Sequence, residues 1–433
     1  MGAVLGAVLS YVSTWWSGTG CSSSQTCKFR TLETGRHLDP ARKAAKAMGL
    51  ELTTGMDFTL LWSYRTPWDS TLFKSRMIEA KVSGKTIVFN HLPGTLSLAS
   101  KAHLPAFARR AGLHGALPTT LLLPEDQNAI ERAMSSEGLT DHNGLPKWIV
   151  KSKQHRGIRA LTNATATALK GMGPAMIQRR VEPLLLRNFR RAFDVGLYVL
   201  VTSVRPLRVY VHDLALVRFC EAIFPTSAQG FQNEKSYVIS HYSPIWTLPH
   251  FHESLRICNG SAACALRAEL AADGYNADAI WRRMHVTTLK LLSQLVPHVI
   301  MNMLRLKLQD DSIFELFRFD YLIDKYGSPI LTEVNVSPNI VAAHPQDAHV
   351  KSTLLHDVLH LVMQRLPNCA TPSLICNTPC CSRTGQRHGA HSIATMSDSS
   401  PFAVQSKSRL RSPISKPTDE ARFSRGFRLL ADT

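Results

Sequence analysis

The segment Phe314-Glu315-Leu316-Phe317-Arg318-Phe319-Asp320-Tyr321-Leu322-Ile323 constrains the fold more than any other part of the chain. It is followed by the turn residues Lys325-Tyr326-Gly327-Ser328 and by Ile330-Leu331-Thr332-Glu333-Val334-Asn335-Val336-Ser337-Pro338. Two runs this rich in aromatic and β-branched residues, separated by a glycine-bearing turn, predict a long antiparallel hairpin. With the turn centred between Tyr326 and Gly327, Asp320 falls opposite Glu333, their Cβ atoms roughly 5 Å apart, and Arg318 falls opposite Asn335. Glu333 and Asn335 are two apart and face the same side. Two facing carboxylates amid Phe, Leu, Ile and Val repel unless a cation or a proton lies between them. Asp320, Glu333 and Asn335 are hard oxygen ligands that suit Mg²⁺ completed by phosphate oxygens and water. A pair of solvated edge carboxylates is the plainer alternative.

Other strands and helices alternate along the chain. Thr86–Phe89 reads as a strand stopped by the turn cluster Asn90-His91-Leu92-Pro93-Gly94, and a helix follows from about Leu96 to Ala111. A strand at Thr119–Leu123 leads into a helix over about Glu125–Met134. Leu197–Val201 is continuously apolar, as a strand buried on both faces would be, and Leu207–Val211 pairs with it after the Arg205-Pro206 turn. Such alternation argues an α/β fold. At ~150 residues per domain, 433 residues hold two to three domains. Residues 1–50 read as a poorly ordered leader. Residues 371–433, rich in Ser and Pro with nine Lys or Arg against four acids, read as a disordered basic tail.

The apolar stretch Met1–Trp16 lacks the basic start of a secretory signal, so a cleaved signal or short anchor is the less favoured reading. The sequons at Asn163, Asn259 and Asn335 then read as chance matches. Nine cysteines without a paired C-x-x-C ladder fit a reducing compartment better than a disulfide scaffold or a zinc module. No run of about eighteen apolar residues occurs, which excludes a polytopic membrane protein. A composition of 44% hydrophobic and 19% charged residues excludes a wholly disordered chain. Lys plus Arg number 50 against 32 acids, a formal +18, so the partner is acidic: nucleic acid, anionic lipid or an acidic protein. Lys147-Trp148-Ile149-Val150-Lys151 is a β-prone run that ends in a cation and opens into a loop containing Arg156-Gly157. That combination suits a polyphosphate, which needs positive charge and close backbone approach, although an exposed basic hairpin would look the same. Of the residues around the next strands, Gln178, Arg179 and Asp194 are polar enough at strand edges to serve a site.

Several ordered segments together resemble the tubulin-tyrosine-ligase-like amino-acid ligases, in a divergent, polyglutamylase-like branch. They are Asn90-His91-Leu92-Pro93-Gly94, Leu117–Asp126, Trp148-Ile149-Val150-Lys151, Arg156-Gly157, Gln178-Arg179, Tyr198–Ser203 with Pro206-Leu207, Leu216-Val217-Arg218-Phe219, and Glu333-Val334-Asn335-Val336-Ser337-Pro338. The resemblance covers roughly Gly55–Leu366 and implies an ATP-grasp fold with an N-terminal lobe (51–122), a central lobe (123–181) and a C-terminal lobe (182–370). It implies that Lys151, Arg156 and Gly157 hold ATP phosphates, that Gln178, Arg179, Arg180 and Val181 line the adenine, and that Asp194 lies beside the ribose or phosphates. It also implies Mg²⁺ on Asp320, Glu333 and Asn335, with Lys151 and Arg218 as catalytic cations. The implied reaction joins a free amino acid, glutamate, to glutamate side chains of acidic tubulin tails through an acylphosphate. The implied partners are tubulin or microtubules, and the implied location is cytoplasmic and cytoskeleton-associated, with membrane association only through the apolar N-terminus.

The chain also departs from that family's pattern. Ala192-Phe193-Asp194-Val195-Gly196 stands where the family has Lys-Phe-Asp-x-Arg, Ser152 where Pro usually follows the first Lys, and Arg318 where Gly precedes Phe-Asp. His241-Tyr242-Ser243-Pro244 replaces a His-Leu-Thr-Asn stretch. These changes bear on amino-acid choice and on turnover, so the second reading is a relative that binds ATP and microtubules without catalysis. No RNP-type aromatic run or Cys2His2 ladder is present, so nucleic acid is not an expected partner.

Overall fold

Phe193–Val204 forms a strand in which every residue is buried, and the rest of the large sheet is laid down on either side of it. The computed structural model describes residues 27–152, 157–161, 169, 174–239, 242–366 and 426–432. From the N-terminus, the strands are β1 (Lys28–Thr31), β2 (Glu51–Leu52), β3 (Leu60–Trp62) and β4 (Val88–Asn90). Next come β5 (Thr120–Leu122), β6 (Trp148–Ser152), β7 (Ile158–Ala160) and β8 (Ala175–Arg179). The remainder are β9 (Phe193–Val204), β10 (Leu207–Cys220), β11 (Tyr242–Pro244), β12 (Ile313–Ile323), β13 (Pro329–Val336) and β14 (Phe427–Asp432). The large sheet runs β11-β10-β9-β12-β4-β3-β1-β2, with β13 added to β12 and β14 to β10. β12 is the hinge of this mixed α/β sheet: it is antiparallel to β9 and β13 but parallel to β4. β5–β8 form a separate sheet ordered β5-β8-β6-β7.

Period-two alternation divides β9 between two cores. Val195, Leu197, Val199 and Val201 pack on the side covered by the helices Ala262–Ala272 and Ala277–Leu306. Tyr198 and Leu200 face the helices Asp39–Ala47 and Pro345–Met363. Alternation sorts β6 as well: Trp148 and Val150 pack with Ile130 and Ile177 beneath the helix Gln127–Glu137, while Ile149 and Lys151 turn the other way into a cavity.

Three expectations need correction. The leader does not run to residue 50, because β1 and the helix Asp39–Ala47 are built from residues 28–47; Phe29, Leu38, Ala41 and Ala45 are buried in the second core. Ala41, Ala44, Ala45 and Met48 carry the helical spacing that the polar surroundings mask. Residues 371–433 are not disordered to their end either: β14 lies antiparallel on β10, with Phe427 edge-on to His212 at 4.5 Å. Composition averaged over the whole tail hides a short, mostly apolar six-residue strand at its end. Finally, Cys258 and Cys264 are joined by a disulfide across the turn between two helices, contrary to the reading of uniformly reduced cysteines. Met1–Trp16, the Asn163 sequon and most of the basic tail lie outside the described residues. Among the described residues, no helix is long and apolar enough to cross a membrane.

Candidate active site

The small sheet and strands β9, β10, β12 and β13 enclose a cavity of about 370 Å³. Its charged lining includes Lys101, Lys151, Asp194, Arg218, Asp320 and Glu333. Lys151 reaches it from β6 by the alternation just described. Burial, and then repulsion from Lys101, lower the Lys151 pKa to about 8, so its charge is held at a cost that an anion in the cavity would relieve. Gly157 follows with φ +100° and open space where a Cβ would project, a backbone conformation that favours glycine. Its neighbour Arg156 lies outside the described residues.

The stretch expected to line the adenine divides. Arg180 and Val181 line the cavity, and Arg180 is anchored there by donating to the Asp141 carboxylate at 3.0 Å. Gln178 is buried and donates to the Thr120 hydroxyl at 3.0 Å. Arg179 points elsewhere: it pairs with Glu137 and stacks over the Trp148 ring, 5.6 Å from its centroid.

Across the cavity, strand register assembles a charged chain. Arg218 pairs with Asp194 between β10 and β9, and Asp320 pairs with Gly196 between β12 and β9. Arg218 Nε donates to Asp194 Oδ1 at 2.9 Å, and its Nη2 reaches Asp320 Oδ2 at 3.0 Å. Arg318 grips the same Asp320 with two bonds, Nε to Oδ1 at 2.7 Å and Nη2 to Oδ2 at 2.8 Å. Asn335 Nδ2 adds a further donor to Asp320 Oδ2 at 3.0 Å. Burial works against the charge on both acids. At Asp320 the guanidiniums of Arg318 and Arg218 outweigh it and hold the pKa below the ordinary carboxylate value. At Asp194 burial wins over Arg218, and the nearby Asp320 adds to it, pushing the pKa up to about 6.

The hairpin that carries Asp320 and Glu333 reaches its register by an unexpected route. The turn is centred on Tyr326, with Asp324 accepting from the Tyr326 and Ser328 amides at 3.0 and 2.7 Å. Tyr321 therefore pairs with Leu331, and a bulge shifts the next pair to Asp320 with Glu333. Thr332 is the extra residue; its hydroxyl donates to the Asp320 carbonyl at 2.9 Å, and it lines the cavity beside Glu333. Lys101, Thr332 and Tyr237 also border the cavity and were not read from the sequence. Lys101 sits in a break between the short helices Leu96–Ala99 and Leu104–Arg110, inside what the sequence suggests is one helix. Pro105 in the first turn of the second helix was the available signal.

Asp320, Glu333 and Asn335 can be tested as a joint site for a divalent cation. Both Asp320 oxygens are already engaged, by Arg318, Arg218 and Asn335. A dication on Asp320 would also sit against two guanidiniums. Glu333, with Lys101 at 3.8 Å, is open by comparison. As arranged, the three residues do not fit a shared metal ion. Among the described residues, no three acids, histidines or cysteines converge as a metal-binding group.

The sequence profile of the Tubulin-tyrosine ligase family matches residues 79–373, a span that contains all the strands of this cavity. Mouse tubulin monoglutamylase TTLL4 is 30% identical over 292 residues, covering 64% of this chain and 24% of that protein. The probable tubulin polyglutamylase ttll-15 of Caenorhabditis elegans is 26% identical over 329 residues, 74% of this chain and 60% of the worm protein. Human tubulin polyglutamylase TTLL5 is 26% identical over 313 residues, 69% of this chain and 23% of its own. The chain thus spans about a quarter of the two mammalian relatives and 60% of the worm one.

Proposed function

The chain belongs to the tubulin-tyrosine ligase family, and from that premise we propose that it is an ATP-dependent carboxylate–amine ligase that adds glutamate to glutamate side chains in acidic tubulin tails. The observation that supports this most is the confrontation of Lys151, on the small sheet, with the Arg218–Asp194–Asp320 chain on the large one across a single cavity. The relatives' printed names, monoglutamylase and polyglutamylase, favour glutamate over other amino acids.

A carboxylate is a poor acyl donor because its leaving group is oxide. The acceptor glutamate oxygen attacks the γ-phosphorus of ATP, the bond from that phosphorus to the β-phosphate oxygen breaks, and ADP departs with the electron pair. The neutral α-amine of the incoming glutamate then attacks the acyl carbon. The carbon–oxygen bond to phosphate breaks, phosphate leaves, and the nitrogen loses a proton to give the isopeptide. In this scheme Lys151 and Arg180 meet the polyphosphate from the small sheet, and Gly157 admits it close to the backbone. Arg218, fixed by two carboxylates, is a preorganised cation for charge that builds on the transferring group. No nucleophilic side chain is needed, and Cys220 is a buried strand residue whose thiol burial pushes up to about 12.

The test is incubation of the purified chain with ATP, MgCl2 and microtubules in separate reactions containing labelled glutamate, glycine or tyrosine. Label from glutamate alone, lost on microtubules stripped of their acidic tails, is the expected result; label from tyrosine or glycine alone overturns the substrate assignment. A second reading, nucleotide and microtubule binding without turnover, is favoured by Ala192 and Gly196, which bring no charged side chain to the site. It predicts an ATP-induced rise in melting temperature with no label incorporated.

A further inference from the structure

We infer that Arg318 is the resident cation of Asp320, so that this carboxylate serves as an anchor for two guanidiniums and takes no divalent metal. Three observations carry this. Arg318 and Asp320 lie two apart on β12 and form a buried two-bond ion pair, with 10% and 2% of their side chains exposed. Arg218 and Asn335 occupy the remaining directions around the same carboxylate. And the Arg318 stem lies in the space over Gly196 on the neighbouring strand, where a Cβ would come within 2.9 Å of Arg318 Cδ and 3.0 Å of Asp320 Oδ1.

Gly196 is therefore a condition of the arrangement. Its backbone is ordinary strand, so it is not required for an unusual φ; it is required for room. Any side chain there pushes against Arg318 and Asp320 at once, and one of them has to move. The residue on β9 and the residue on β12 form one steric and electrostatic unit: the strand that lacks a side chain receives the arginine of its neighbour. Charge arithmetic agrees with this. Asp194 and Asp320 contribute two negative charges, Arg218 and Arg318 two positive ones, so the buried chain is neutral before any ion arrives. A dication would have to displace a guanidinium from a low-dielectric site in which each carboxylate is already paired. Glu333, outside the network, keeps its charge available to a ligand in the cavity.

The inference deepens the proposed ligase site, yet Mn²⁺ alone, without nucleotide, reads it. Free Mn²⁺ is titrated against the full chain and followed by electron paramagnetic resonance, with melting curves to verify folding. The single change Asp320→Asn should leave the wild-type affinity for Mn²⁺ unchanged within twofold. Arg318→Met, which keeps the stem over Gly196 and removes the charge, should gain at least tenfold, and the gain should vanish in Arg318→Met/Asp320→Asn. If Asp320→Asn lowers wild-type Mn²⁺ affinity tenfold, or Arg318→Met gains nothing, the inference is overturned. Should Asp320→Asn fail to fold, a stability cycle decides. Gly196→Ala should lower the melting temperature by several degrees in the wild-type background and by less than half as much in an Arg318→Gly background, where only the Asp320 contact remains; equal losses in both overturn it. Neither measurement uses ATP or tubulin, so failure of the ligase reading is detected separately by the labelling assay.

Discussion

Lys151 offers the sharpest test of the proposed nucleotide site, because a side chain kept for phosphate should cost stability when phosphate is absent. Its pKa falls from 10.5 to about 8, chiefly through burial and secondarily through Lys101. At about 1.4 kcal/mol per tenfold, that fall opposes folding by at most about 3 kcal/mol at neutral pH, and solvent in the cavity reduces the figure. The folded chain binds its proton less readily than the unfolded chain. Stability is therefore lost as pH drops from 10.5 to about 8, and the penalty is complete below that. Lys151→Met, similar in length and uncharged, should then be more stable than the parent by on the order of 1–3 kcal/mol at pH 7, with the difference closing toward pH 10.5. Urea unfolding at pH 7, 8.5 and 10 measures it. The same variant should lose the ATP-induced rise in melting temperature, and the parent's affinity for ATP should decline as pH rises past about 8. A variant no more stable than the parent, or a difference constant across pH, would refute the reasoning.

Arg218→Met leaves buried Asp194 without its paired guanidinium, while Asp320 keeps Arg318, and should cost about 3–5 kcal/mol in unfolding free energy as well as any ligase activity, read by denaturant melts and label incorporation. Buried His91 faces Glu315 at 3.1 Å; burial opposes its charge, but Glu315 outweighs burial and raises its pKa above 6.5. The stability that this pair supplies is fully present below pH 6.5 and is lost as pH rises through the folded-state pKa, a dependence that Glu315→Gln should erase in pH-resolved thermal melts. Phe427→Ala should destabilise by about 3 kcal/mol in denaturant melts, because the ring is 2% exposed against His212. Co-sedimentation with microtubules should weaken steeply between low and physiological salt, given the formal +18 charge; binding insensitive to salt would count against an acidic tail as the partner.

The α/β alternation and the central strand were legible because their signals are local. Leu197–Val201 is apolar without interruption, and only a strand covered on both faces has a use for that pattern. Where a signal was diluted, it was missed. Phe427 to Asp432 holds four apolar residues in six, but it ends a polar tail whose average composition conceals it, and its partner on β10 lies more than two hundred residues away in sequence. Arg179 illustrates a different limit. Its position at a strand edge was readable, but β8 pairs it across from Trp148 and so turns it to the helix side, toward Glu137. Which face of a small sheet holds a ligand is decided by the larger sheet opposite, and nothing within β8 records that.

The hairpin shows why a correct register is not yet a correct site. Centring the turn between Tyr326 and Gly327 places Asp320 opposite Glu333, and the two do pair; yet the turn is centred on Tyr326, and the bulge at Thr332 restores the register. Two offsets of one residue cancel, so the pairing alone could not reveal either. The physical expectation drawn from the pairing, that facing carboxylates need a cation between them, also holds in part: the cations arrive, but as guanidiniums on Asp320 and as Lys101 near Glu333. Arg318 was visible in the sequence opposite Asn335, and that pairing is present too. What the sequence could not supply was the gap over Gly196, on the neighbouring strand but more than a hundred residues away in the chain, into which the Arg318 stem folds back to reach its own strand neighbour. A cross-strand alignment treats Arg318 and Asp320 as lying in one row along β12, where residues two apart simply share a face. Only the missing side chain on β9 makes room for them to close into a pair, which is why the choice between metal and arginine at this carboxylate rests on residue 196.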